Sequence, residues 1–114
     1  MIYKKTWKYI LIKDSNLIYY KLKAVKDFSN VFKGNLGGYL DGYHNLSQKG
    51  DCWIYGNAWV YGNAQVSENA KIYGNSQVYG KAQVYGNAII SGQSMVYGHA
   101  RIYGNANIEN QRIL

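Results

Sequence analysis

The chain has no proline, a single cysteine (Cys52), two phenylalanines and only six acids in 114 residues. Each shortage excludes something. With one cysteine there is no internal disulfide framework, which fits a reducing cytoplasmic location. Without proline, chain reversals must come from residues that tolerate unusual backbone angles, and Gly and Asn are the residues that do. No apolar run is long enough to cross a membrane. The N-terminus has no long apolar segment of the kind that directs secretion.

The charge is uneven. Residues 1–34 hold eight Lys against Asp14 and Asp27, a net +6, and the rest of the chain adds +1 to reach the total of +7. Lys4, Lys5, Lys8, Lys21 and Lys23 interleave with Tyr3, Trp7, Tyr9, Tyr19 and Tyr20. That mixture is a candidate contact surface for single-stranded nucleic acid or an acidic partner. It equally describes a hairpin with one packed face and one solvated face.

What the chain does have is tyrosine, glycine and a repeat. There are 13 Tyr and 13 Gly. From Cys52 to Gln111 the sequence obeys a period of six over ten copies. One column is β-branched throughout: Ile54, Val60, Val66, Ile72, Val78, Val84, Ile90, Val96, Ile102 and Ile108. Two residues earlier the column is small (Cys, Ala or Ser). Two residues later it is Gly, except at Glu68 and Asn110, and Asn usually follows.

Residues two apart in a strand share a face, so the small and β-branched residues both point inward. Gly-Asn then turns the corner. A strand and a corner in six residues form one side of a triangular prism, three sides form an 18-residue coil, and coils stack by parallel pairing about 4.8 Å apart. A helix is disfavoured by the period, which does not match 3.6, and by the recurring Gly.

The repeated A-x-[IV]-Y-G-N resembles the bacterial hexapeptide-transferase repeat, whose fold is the left-handed parallel β-helix. The fold expected is therefore all-β: a left-handed parallel β-helix of about three to four coils, preceded by an N-terminal β-hairpin. Leu22–Ala58, with Lys26-Asp27-Phe28, Gly34–Gly38 and Asn45–Ser47, resembles a leader found before such repeats in uncharacterised proteins of bacteriophages and prophages. That resemblance implies a phage or mobile-element origin.

The organisation expected is a basic hairpin cap over residues 1–33 and a β-helix over 34–114. Trp7–Lys13 and Leu17–Lys23 flank an Asp14-Ser15-Asn16 turn. Leu36 lies one 18-residue coil before Ile54, so Gly34–Gly38 should open the prism, and about 39–51 should be an irregular loop. The hairpin would cover the strand edges of the first coil.

Sorting outward residues by the 18-residue period gives three faces. One carries Trp59/Tyr61, Gln77/Tyr79 and Met95/Tyr97, with no charge in its repeat positions. An uncharged aromatic face resembles an interface core. Trp59, Tyr61, Tyr79, Met95 and Tyr97 are thus the expected oligomer or partner contacts, with a dimer or trimer as the assembly.

Resemblance to the hexapeptide acyltransferases implies a catalytic His at a subunit boundary and a thioester along the coils. His99, at a corner where Asn is usual, is the weak candidate for a general base, but no acid lies near it in sequence. His44, in the expected loop, reads as a solvated polar residue. The related γ-class carbonic anhydrases hold zinc with three His; two His here, without their spacing, give no metal site. Cys52 occupies an inward small position and reads as packing. No cofactor is expected.

The function expected is a non-enzymatic, oligomeric binding protein of phage or mobile-element type. It would act by protein contact in the host cytoplasm, inhibition of a host defence complex included. An acyltransferase-like enzyme and a structural phage component remain open.

Overall fold

The computed structural model describes residues 7–13 and 18–114. The Asp14-Ser15-Asn16 turn, Lys4 and Lys5 lie outside the described residues.

Strands β1 (Tyr9–Lys13) and β2 (Tyr20–Ala24) pair antiparallel, with Leu11 opposite Leu22. β3 (Leu36–Leu40) pairs antiparallel with β2 on one side and parallel with β5 (Trp59–Val60) on the other. It joins the hairpin to the prism in one continuous sheet.

From there the chain winds as a parallel β-solenoid. One side stacks β3, β5 (Trp59–Val60), β8 (Gln77–Val78), β11 (Met95–Val96) and β14 (Arg112–Ile113). A second side stacks β4 (Trp53–Ile54), β7 (Lys71–Ile72), β10 (Ile89–Ser91) and β13 (Asn107–Glu109). The third stacks β6 (Gln65–Val66), β9 (Gln83–Val84) and β12 (Arg101–Ile102). These columns amount to roughly four coils.

The inward columns pack as the repeat demands. Ile54, Ile72 and Ile90 stack in register and are fully buried, as are Val60, Val78 and Val96. Ala58, Ala64, Ala70, Ala82 and Ala88 are also fully buried beside them. The following glycines turn the corners at positive φ, and a Cβ on Gly80 would sit 2.9 Å from the next coil's Gly98 nitrogen. Glu68 and Asn110, the two exceptions in that column, adopt the same left-handed geometry at φ 59° and 55°.

The start of the prism differs from expectation. Leu36 is 58% exposed, and the first inward residue is Leu40, fully buried against Val60. Leu46 in turn bridges Val66. Both pairs are 20 residues apart rather than 18, because Leu46 and Ile54 are separated by eight residues instead of six. The stretch read as irregular over 39–51 therefore contributes two rungs to the stack. The bend at 41–42, the 3-10 turn Tyr43–Asn45 and the segment 47–51 depart from it. Gly38 fills the small inward position two before Leu40; a Cβ there would meet Ile54 Cγ2 at 2.5 Å.

Candidate functional site

Two features stand out: the outward face of the seven-stranded sheet, and the mouth of the first coil.

On the face, strand register lines up one residue per strand. Ile12 lies opposite Lys21, Lys21 opposite Tyr39, then Trp59, Gln77, Met95 and Arg112 follow in order. The parallel column of Tyr61, Tyr79 and Tyr97 runs beside this row. Tyr79 is stacked on both sides, 5.0 Å from Tyr61 and 5.2 Å from Tyr97, with ring planes within 7°. Trp59 stacks on Tyr39 at 4.4 Å and takes the edge of Tyr19 at 4.9 Å. The Lys21 ammonium lies 4.2 Å from the Tyr39 ring centroid. The hairpin and β14 thus extend the face beyond its uncharged centre, adding Lys21 and Lys23 at one end and Arg112 at the other. Asp41 follows β3 beside Tyr61, and its Oδ2 accepts the Gly62 amide at 2.5 Å. Burial, followed by Tyr79, Tyr19 and Asp41, raises the Tyr61 hydroxyl above its usual range.

This geometry limits what the rings can bind. A base needs an open aromatic face to stack on. Tyr79 offers none and Trp59 has one side taken by Tyr39, while Tyr97, at the end of the column, is stacked on Tyr79 alone.

The mouth is closed by side chains. In this solenoid the amides of each coil donate to carbonyls of the next, as Trp59 does to Ser76 and Tyr61 to Val78. First-coil carbonyls therefore need donors from elsewhere. Lys8 Nζ donates to Cys52 O at 2.7 Å and Gly50 O at 3.2 Å. Lys21 Nζ reaches Gly56 O at 3.4 Å. His44 Nε2 donates to Gly62 O, and Asn45 Nδ2 donates to Gly62 O and to Ala64 O at 2.9 Å. The Tyr9 hydroxyl donates to Leu46 O, and the Gln48 amide bonds the backbone of both Lys8 and Tyr9. The two residues gained between Leu46 and Ile54 make room for this docking.

Lys8 is consequently not a surface contact. It is 1% exposed, a correction to its reading as a nucleic-acid or acidic-partner residue. An ammonium on a flexible stem suits orphaned carbonyls as well as it suits phosphates, and sequence alone does not separate the two uses. Cys52 is fully buried in its inward position. His99 is exposed at its corner. Among the described residues there is no group of three or more His, Cys, Asp or Glu able to hold a metal, and no cavity.

Trp53 precedes the inward Ile54 and so takes an outward position in the repeat, yet it is 1% exposed because Phe28 and Tyr9 cover it edge-on. Tyr55 and Lys71 on the same side bond Asn30 and Ser29. The signal for Trp53 was its size: a bare indole on a prism face needs cover.

Comparison with known proteins supports the repeat architecture. The family described as the YdcK β-solenoid repeat matches residues 54–68 and 82–98. The protein named "Uncharacterized acetyltransferase YdcK" of Escherichia coli (strain K12) is 40% identical over 40 residues. That region covers 35% of this chain, and the chain spans only 12% of that relative's length. The chain is thus similar to a β-solenoid repeat protein over part of its length.

Proposed function

We propose that this chain is a non-enzymatic, self-associating binding protein whose contact surface is the outer face of the seven-stranded sheet. The observation that carries the reading is the row from Ile12 to Arg112, one side chain from every strand, flanked by the stacked Tyr61, Tyr79 and Tyr97. Its centre around Trp59, Tyr61, Tyr79, Met95 and Tyr97 is aromatic and uncharged, and its ends are cationic. Depleted charge in the middle with a polar rim is the pattern of a protein-binding patch. The leader's resemblance to phage and prophage proteins sets the proposal in the host cytoplasm, with a host protein complex, a defence system included, as the target. The assembly proposed is a dimer or trimer.

Light scattering tests the self-association: an oligomer for the wild-type chain and a smaller species for Tyr79→Glu are expected. A wild-type monomer, or an unchanged oligomer in the variant, overturns this choice of surface.

The name carried by the E. coli relative favours one second reading, an acetyltransferase in which His99 acts as general base. Its test is calorimetry with acetyl-CoA. Saturable binding, together with acetyl transfer lost in His99→Ala, would favour the enzyme over the binding module.

A further inference from the structure

We propose that Lys8 and Cys52 form a peroxide-sensitive latch, in which oxidation of the thiol leads to a covalent N–S bond between the N-terminal segment and the first coil. Lys8 Nζ lies 3.3 Å from Cys52 Sγ, although the residues are 44 apart in sequence. The carbonyls of Gly50 and Cys52 hold the amine in place, and the Phe28 ring covers it at 5.2 Å. Both residues are at most 1% exposed, so water does not compete for the sulfur.

The pair is buried but shallow. Lys49, Gly50 and Asp51 are exposed, and the Cys52 thiol donates weakly towards Ser47 O and Lys49 O within that same turn. A local opening of one turn, of the kind native proteins undergo well below global unfolding, admits a molecule as small as hydrogen peroxide. Structural packing alone would be met by Ala or Ser in this column, as it is in the other nine copies. Here the thiol coincides with the one lysine that is buried among the described residues.

The chemistry balances within the pair. Burial pushes the Lys8 ammonium down and the Cys52 thiol up, and each group opposes the other's shift, so one proton can pass between them. When Lys8 holds the proton, Cys52 is a thiolate and attacks peroxide, giving a sulfenic acid and hydroxide. The hydroxide takes the extra proton from Lys8 and becomes water. The free amine then attacks the sulfenic sulfur, an N–S bond forms, the S–O bond breaks, and a second water leaves. Sulfur loses two electrons overall and peroxide gains them. A thiol reductant reverses the link.

Peptide mass spectrometry on the folded wild-type chain, with and without hydrogen peroxide, tests this. The expected product is an intact mass lower by two hydrogens. Trypsin no longer cuts after Lys8, and one cross-linked peptide pair contains Lys8 and Cys52. Dithiothreitol restores the free thiol. Since Cys52 is the sole cysteine, thiol titration follows the same event. A thiol that survives peroxide in the folded chain overturns the proposal. So does oxygen addition at Cys52 without the cross-link. Lys8→Arg should show only oxygen addition. If that variant does not fold, the wild-type measurement still decides.

Discussion

His44 donates its Nε2 proton to the carbonyl of Gly62, 18 residues later, at 2.8 Å. A carbonyl oxygen only accepts, so the bond fixes the imidazole with hydrogen on Nε2 whenever the ring is neutral. A residue that reads as a solvated loop histidine is an end-cap for a strand edge. His44→Ala should destabilise the chain by about 0.5–1.5 kcal/mol, the net worth of one intramolecular hydrogen bond. His44→Gln, whose amide can donate, should recover part of it. Urea unfolding of the three chains is the check; equal midpoints would remove the capping role.

Asn45 carries more of the same load. Its Nδ2 serves the carbonyls of Gly62 and Ala64, and its Oδ1 accepts the amides of Asp41 and Gly42. It is fully buried. Asn45→Leu would strand backbone polar groups away from water at about 1–3 kcal/mol each. A loss clearly larger than that of His44→Ala is expected in the same unfolding series.

Glu68 separates backbone strain from side-chain bonding. It holds φ 59° in a column of glycines, and its Oε1 accepts the Gly86 amide at 3.1 Å. Glu68→Ala removes the bond and keeps the strain. Glu68→Gly removes both. The Gly variant should therefore be more stable than the Ala variant by about 1 kcal/mol, the penalty a Cβ meets in the left-handed region. Thermal melts of the pair read this directly, and a more stable Ala variant would contradict the assigned backbone.

Alkaline pH should loosen the mouth. Burial raises the hydroxyls of Tyr9 and Tyr55 above the ordinary value of 10, and raises the Cys52 thiol above 9. A group with a raised folded pKa holds its proton more tightly when folded. Its stability contribution is complete below the unfolded pKa and is lost as pH rises through the folded one. Lys8, shifted down, runs the other way and offsets part of the fall. The decline should set in above about pH 9, as the unfolded-state references of Cys and Tyr dictate. Tyr9→Phe should reduce the decline. Midpoints of denaturant unfolding from pH 7 to 11 measure it.

The solenoid was legible because its cause is local. Ten β-branched residues six apart, each with a small residue two before it, leave one packing solution, and Ile54 to Ile102 are buried as that pattern requires. The outward character of Trp59, Tyr61, Tyr79, Met95 and Tyr97 follows from the same alternation. The period stopped helping upstream of Cys52. Two added residues before Ile54 shift the phase, so Leu36 looked inward and Leu40 did not. The capping roles of Lys8, His44 and Asn45 are not legible in the sequence for another reason. Their partners are backbone carbonyls 17 to 44 residues away, and a carbonyl has no sequence signature. Only the topology, which leaves first-coil carbonyls without donors, creates the demand those side chains meet.

The 18-residue winding also makes length a quantised variable. Duplicating one six-residue unit would rotate everything downstream onto the next side of the prism, carrying Tyr97 off the column of Tyr61 and Tyr79. Duplicating three units would add a coil and leave each column aligned with itself. The donors from Lys8, Lys21, His44 and Asn45 already occupy the first-coil carbonyls, so such growth is compatible with the closed mouth only downstream of it. A gene drifting by repeat expansion would thus lengthen its aromatic columns in whole turns and from one side, with the hairpin as the fixed origin from which its length is counted.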